Sequence, residues 1–511
     1  MMAQDQNAHV HAKYGTAMLS RRSLLERAGW IIAAAPFPFA TGMVAQSTPS
    51  TGTRQPGSVM AELSTYMSEA RTRPLPDEVT EKVKHHVLDT LAAMVSGSQL
   101  PPGRAALRFA RAYGGEKVAM VVASKVLCGP IEAALANGVL AHADETDDSH
   151  APSGGHPGCA VVPAALALGE QFGIDGTRFL RAVALGYDIG TRVTMTLGAE
   201  AFKVDAHKSD PSVVGTFGAA AAAGSAASLE AQQMRWLLDY TAQQSSGIAA
   251  WQRDTEHMEK AFAFGGMSAR SGVTAALLVQ SGWTGVDDIL SGPDNFFLAY
   301  APQADPAGLV EKLGERYEVT RTNIKKWTVG SPIQAPLDAL EILLKRHPFD
   351  PEQVQHLTVR VGTHPAATVN NRDMPDICLQ HMMAVMLVDK TASFHSAHDK
   401  ARMQDPAILR QRAKVQLIPD EQLQQRLPRR EAIVEVTLTD GTHLTEHVEA
   451  VRGTAENPMT RDEIVAKCRD LMDPFLGAQQ SKRLIEAIRA LETVKDVNLL
   501  RSVLQRSEHL A

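Results

Sequence analysis

The chain has 511 residues, 44% of them hydrophobic and 21% charged, with a formal net charge of −6. That length exceeds one ordinary core and predicts a multi-domain soluble globular protein. The acidic balance, with no basic cluster, argues against nucleic acid as a partner, and four scattered cysteines without a C-x-x-C pair indicate neither a zinc ribbon nor a redox pair.

Residues 1–55 read as a targeting segment and linker. Ser20-Arg21-Arg22-Ser23-Leu24-Leu25 precedes an apolar run over 28–45. That arrangement is similar to a twin-arginine export signal and predicts a periplasmic location, the alternative being a cytoplasmic extension. Beyond it, no stretch is apolar and uncharged over the roughly 20 residues that a membrane span needs. Apolar residues from Val79 to Val95 recur at helical spacing, and Gly97 closes that helix. Further helices are predicted over 103–113, 131–149, 163–172, 177–194, 212–228, 231–244 and 267–281. Their many Ala and Gly residues suit close helix packing. The character changes after about residue 310. Residues 357–361 alternate as a strand, and 432–438 and 443–448 flank Asp440-Gly441, a hairpin signal. Two helices, 337–346 and 379–388, fall among these strands, and helix returns over 460–491. The expectation is a mainly α protein: an all-helical domain (56–312), a smaller α+β lid domain (313–452) and C-terminal helices (453–511) packing back on the first.

One stretch, residues 142–163, carries the chemistry. Asp144, Glu145, Asp147 and Asp148 stand among His142, His150 and His156, between apolar flanks. Unpaired charge is costly to bury, so the cluster needs cations or a wet cleft. Read as the end of helix 131–149, it places His142, Glu145 and Ser149 on one face. Pro157 holds His156 extended, so that it projects back over the helix end as a general acid/base. The bland alternative is a solvated acidic helix end. A third reading is a magnesium site on the aspartates, for which no second motif exists; Asp287-Asp288 is a lone acidic pair. His207 precedes an Ala/Gly helix whose N-terminus would face an anion. Lys260, beside Glu259, would by itself be a surface pair.

These residues resemble the MmgE/PrpD family. The resemblance rests on Ala136-Asn137-Gly138, Ala141-His142, Glu145, Asp147-Asp148-Ser149, His156-Pro157-Gly158 and Val162-Pro163-Ala164. It continues through Gly186-Tyr187-Asp188 with Arg192, and through 212–220. It spans about residues 60–490. The resemblance implies a helical domain plus an α+β lid, a homodimer, and lyase or isomerase chemistry on small di- or tricarboxylic acids without a cofactor. By position it implies catalytic roles for Glu145, Ser149 and His156, with His207 nearest to the second histidine and Lys260 to the lysine. Arg192 and Lys208, with His142, Asp144, Asp147, Asp148 and His150 around them, are expected to bind the substrate. In the implied mechanism a histidine moves a proton next to a carboxylate, while Glu145 and Ser149 orient it. Dehydration, decarboxylation and epimerisation share that step.

The sequence also departs from the family. Glu145 and Ser149 replace Asp and Thr, and Lys-Ser-Asp intervenes between His207 and Pro211. Lys260 stands one residue too far from Gly266 and Gly272, and residues 327–336 lack the usual Cys and His. The rival from another class is a non-catalytic periplasmic carboxylate-binding protein.

Overall fold

The computed structural model describes residues 56–198, 202 and 206–506. The export-type segment within residues 1–55 lies outside them.

Helices α1 (Ser58–Glu69), α2 (Asp77–Gly97), α3 (Pro101–Tyr113) and α4 (Pro130–Ala141) open the fold. A two-stranded ribbon, β1 (Ala119–Met120) with β2 (Leu127–Cys128), precedes α4. Next come α5 (Gly158–Phe172), α6 (Gly176–Thr196), α7 (Asp210–Ala226) and α8 (Ala231–Gln244). At the centre sits α7, with every residue buried. A helix hydrophobic all round belongs in a core. Its approach to α6 depends on small residues. A Cβ added at Gly190 would sit 2.3 Å from the Val214 carbonyl oxygen, so the two backbones touch where a side chain would hold them apart.

The helix predicted over 267–281 begins earlier and is interrupted. A short α9 (Met258–Ala261) runs through a π-turn at Phe262–Gly266 into α10 (Met267–Gln280). Among the described residues, this run, Met258–Gln280, is long and apolar enough to cross a membrane, which the sequence reading did not foresee. It is a core helix: 67% of its apolar window is buried inside the protein.

A second hydrophobic cluster runs from Trp327 to Val451. Its sheet has the order β4-β3-β5-β6, built from β3 (Val354–Gly362), β4 (Val415–Asp420), β5 (Ala432–Leu438) and β6 (His443–Val448). The hairpin β5–β6 is antiparallel, as is β3 with β5. The edge strand β4 pairs parallel to β3, Leu357 opposite Val415. It was not predicted, because Pro419 demotes the run; at an edge the missing N–H is tolerated. Helices α11 (Ser331–Arg346) and α12 (Leu379–Asp389) pack in the same cluster. After the sheet, α13 (Arg461–Leu476) and α14 (Ala478–Arg489), divided at Gly477, insert Ile464, Cys468, Leu471 and Leu484 into the first core. The protein is mainly α, with two small sheets.

Candidate active site

The predicted helix over 131–149 ends at Ala141, and His142 caps it with φ −116° and ψ 32°. Asp144 stops the helix. Its carboxylate accepts bonds from the backbone N–H and the hydroxyl of Thr146, at 2.9 and 2.8 Å. Such a local turn competes with helix. The shared helical face of His142, Glu145 and Ser149 therefore does not exist. Instead the segment crosses the fold as irregular chain, and its acids point in different directions.

Asp148 points inward and holds the segment down. It accepts from the Tyr187 hydroxyl and from Gly158 N–H (3.0 Å), and it meets His86 Nδ1 at 2.9 Å. Lys467 of α13 pairs with Asp89 at 2.6 Å and donates to the Thr146 carbonyl at 3.0 Å. Ser149 forms two backbone hydrogen bonds with Asn323, at 3.0 and 2.8 Å. That bridge brings Lys325 to the acids. Its ammonium donates to the Glu145 carbonyl at 2.8 Å and lies 3.6 Å from Asp147 Oδ1.

Asp147 is the hub. One oxygen meets His142 Nδ1 at 2.9 Å and the other meets His156 Nδ1 at 3.3 Å. His156 keeps 13% of its side chain exposed. With Nδ1–H donated to Asp147, its Nε2 lone pair is free for proton chemistry. Burial pushes the His156 pKa below the usual imidazole range although Asp147 works to raise it, so the ring is neutral at neutral pH. Burial opposes the charge on Asp147, but His142, His156 and Lys325 hold it well below the usual carboxylate range.

Glu145 is salt-bridged to Lys260, whose ammonium also lies over the rings of Trp251 and Phe264. His257 Nδ1 is 3.9 Å from the same carboxylate, and its ring lies 5.2 Å from that of His142. His257 has φ 60°, the kind of strained backbone that gathers at functional sites. Its pKa is lowered to about 3 by burial and by the Lys260 charge. Burial works against the Glu145 charge too, but Lys260, His257 and Lys325 carry its pKa well below the usual range. The π-turn explains how Lys260 reaches this place. A π-turn accommodates one extra residue in a helix, which matches the single-residue offset seen in the sequence. Close packing fixes the turn: a Cβ on Gly265 would sit 2.0 Å from the Gly138 carbonyl oxygen of α4. Phe264 then stacks on His142 with centroids 4.6 Å apart.

On the other side, Asp144 pairs with His398 Nε2 at 3.0 Å; His398 ends a short helix, Phe394–His398. Burial would lower the His398 pKa, but Asp144 and Asp376 outweigh it and raise it to about 9. Asp376 is buried and its pKa is raised to about 7 by that burial. A cleft of about 920 Å³ opens beside these groups, lined by Ser149, His156 and Lys325 on one side and by residues near 424–430 and 449–456 on the other.

The structure therefore gathers His142, Asp144, Glu145, Asp147, His156 and Lys260, with Ser149 on the cleft wall. Three other expected residues stand elsewhere, and Asp148 is turned into the core. His207 is exposed, and its carbonyl accepts from Ala249. Lys208 places its ammonium 3.6 Å from the centre of the Tyr300 ring. Arg192 is fully buried and donates to the Glu311 and Arg316 carbonyls at 2.6 and 2.9 Å, so it staples a loop and does not meet a substrate. His150 borders the same cleft, with its ring buried and tied to Ser153 and Glu318. The orienting partner of His156 is Asp147, where Glu145 was expected. Sequence reasoning missed His257, Lys325, His398 and Asp376. Only His257 carried a local signal, three residues before Lys260.

His142, Glu145 and His257, and again His142, Asp147 and Cys159, bring ligand-type atoms within 4.8 Å of one another. Lys260 and Lys325 already engage those carboxylates, and two ammonium groups oppose a divalent cation there.

A histidine–carboxylate pair beside a lysine at the mouth of a cleft is an arrangement that can move a proton. The MmgE/PrpD N-terminal domain matches residues 61–308 and the C-terminal domain residues 327–493. The chain belongs to the MmgE/PrpD family, and it is an enzyme of the family's dehydratase- and decarboxylase-like lyase class. It is similar to the cis-aconitate decarboxylase-like protein oryM of Aspergillus oryzae, 25% identical over 487 residues that cover 89% of this chain and 98% of that protein. It is also similar to the cis-aconitate decarboxylases of Aspergillus terreus (24% identical; 87% and 96% covered) and Homo sapiens (24%; 88% and 95%).

Proposed function

We propose that the protein is a cofactor-independent lyase that moves a proton next to a carboxylate of a small di- or tricarboxylic acid. The observation that carries this reading is the His156–Asp147 pair at the mouth of the cleft, beside Lys325. His156 Nε2 takes a proton from the carbon next to the carboxylate. The electron pair left behind delocalises into that carboxylate, and the Lys325 ammonium stabilises the enolate-like charge. In a dehydration the pair then forms the alkene as hydroxide leaves the neighbouring carbon with a proton as water. A decarboxylation needs no prior abstraction: the C–C bond to a carboxylate breaks, CO₂ leaves, and the electron pair of that bond is matched by a proton that His156, protonated from solvent, delivers to carbon. Asp147 fixes the tautomer of His156 and stabilises the imidazolium. Ser149 faces the same cleft as a hydroxyl partner for substrate. Export through residues 1–55 and a homodimeric assembly are further parts of the proposal, supported by the sequence.

The test offers cis-aconitate, citrate-type acids and their alkenes in D₂O, with and without EDTA, to the wild type and to His156→Ala and His156→Gln. Turnover or deuterium uptake should survive EDTA. Both variants should lose it by at least about a hundredfold while binding stays within a few-fold. Parallel loss of binding and turnover in both variants would refute the role given to His156. Activity restored only by a divalent metal would refute cofactor independence.

A further inference from the structure

We infer that Arg426, together with His364, seats a second acidic group of the substrate: a carboxylate remote from the carbon that His156 serves. This rests on the lyase reading for the reacting end and adds the residues that recognise the far end. Ser149, His156 and Lys325 build the reacting end of the cleft, and Arg426 and His364 line the same cleft from the α+β lobe. The lining is cationic. Six lysine and arginine side chains stand there against three carboxylates, in a chain whose net charge is −6. Such a surplus in a cleft draws an anion.

Most of those cations are already matched. Lys325 lies 3.6 Å from Asp147. Arg321 pairs with Glu318, Arg429 with Glu456 and Arg452 with Glu463, and Arg430 is engaged too. Among the described residues, Arg426 is the arginine of this lining that no carboxylate claims. The acids of the lining are committed elsewhere: Glu456 answers Arg429, Glu449 lies 3.8 Å from His447 Nδ1, and Asp210 stands against Gly154.

The turn that carries Arg426 is fixed by its own backbone. Asp420 caps the short helix Glu421–Gln424 by accepting from the N–H groups of Gln422 and Leu423, at 2.8 and 3.1 Å. Arg426 N–H donates to the Leu423 carbonyl at 3.2 Å, and the Arg426 carbonyl accepts from Arg429 N–H at 3.0 Å. The Gln424 side chain accepts from His364 N–H at 2.9 Å, which brings His364 to the same flank. A guanidinium offers a carboxylate two parallel N–H donors and a full charge. With one carboxylate at Lys325 and another at Arg426, the acid spans the cleft from one lobe to the other.

The experiment takes the best-turned-over acid of the panel and its monoamides, with citrate as the binding probe in calorimetry. In the wild type at least one monoamide should lose about ten- to a hundredfold in kcat/KM, through KM, as expected for a lost charge-assisted hydrogen-bond pair. Arg426 is exposed on its turn, so Arg426→Gln should fold. It should weaken the parent acid by a similar factor with kcat within threefold, and leave that monoamide within threefold of wild type. Arg426→Lys should keep part of the preference. Arg346→Gln, which removes an exposed guanidinium paired with Glu446, should change neither substrate by more than about twofold. A parent-acid KM within twofold of wild type in Arg426→Gln, or equal loss for acid and monoamide, would overturn this inference and leave the lyase reading intact. Citrate affinity at least tenfold lower in Arg426→Gln, without turnover of any acid, would support the subsite and remove the lyase reading. No turnover, with citrate binding absent or unchanged by the substitution, would overturn both.

Discussion

Replacing Asp147 by Asn isolates the electrostatic part of the mechanism, since it removes the charge and nearly keeps the volume. In the wild type a carboxylate oxygen lies 3.3 Å from His156 Nδ1. When His156 takes a proton, a unit positive charge forms beside that oxygen. With an effective dielectric constant of about 20 the attraction is about 5 kcal/mol, which sets a ceiling of between three and four orders of magnitude in rate. Asn also offers an N–H to Nδ1, which moves the imidazole proton to Nε2 and takes the base out of its working form. Asp147→Asn should therefore lower kcat by a factor of about 10² to 10⁴, with KM changed less than about threefold. The assay is deuterium uptake and product formation on the best acid of the panel, with nitrogen chemical shifts of the His156 ring reporting the tautomer. Loss of the carboxylate, which raises the His156 pKa, should also move the acidic limb of the pH profile downward. Asp147 sits 3.6 Å from Lys325, and a disturbed lysine would show itself in KM. A kcat loss under fivefold, or an effect on KM alone, would refute the dyad.

Lys260→Ala leaves the buried Glu145 carboxylate without its main cation and should destabilise the fold by about 3–5 kcal/mol. Adding Glu145→Gln should recover most of that in denaturant unfolding, and no recovery would mean that the pair is not coupled. His398, with a folded pKa of about 9 against an unfolded value of roughly 6.5, contributes stability that is complete below pH 6.5 and lost as pH rises through 9. Asp376, raised to about 7 from roughly 3.9 unfolded, adds a decline between about pH 4 and 7. Unfolding free energy should therefore fall from pH 6.5 to 9, and His398→Gln should flatten that window by about one proton's slope; an unchanged slope would refute the His398–Asp144 pair.

Periodicity made the helical core legible. Apolar spacing from Val79 to Val95 and the small-residue runs of α6 and α7 report directly on what those helices bury. Strand β4 was hidden because a parallel edge strand containing Pro419 has neither alternation nor a hairpin turn to announce it. The end of α4 was misplaced for a local reason: Asp144 bonds Thr146, and a side-chain turn of that kind outcompetes helix while leaving the 3.6 pattern apparently unbroken. The place of the acid–histidine cluster was legible in residues 142–156, because charge set between apolar flanks is informative wherever it folds. The partners of those acids were not. Lys325 and His398 lie 180 and 254 positions beyond Glu145 and Asp144 respectively, in chain that looks ordinary by itself. Arg192 shows the opposite error. A guanidinium that caps backbone carbonyls has the same sequence signature as one that binds substrate.

Lys260 meets Glu145 just before the π-turn at Phe262–Gly266. His207 is left outside on the surface, while the same π-turned run begins at His257, whose ring joins His142 and Glu145. The acids of 144–148 remain divided between tasks. Asp148 anchors, Asp147 orients His156, Glu145 is matched by lysine, and Asp144 reaches His398. Each carboxylate has its own donor, which is what allows four negative charges to stay buried within five residues. Substituting any one of them should therefore be felt first by its own partner, and only Asp147 has a partner that both faces the cleft and can move a proton.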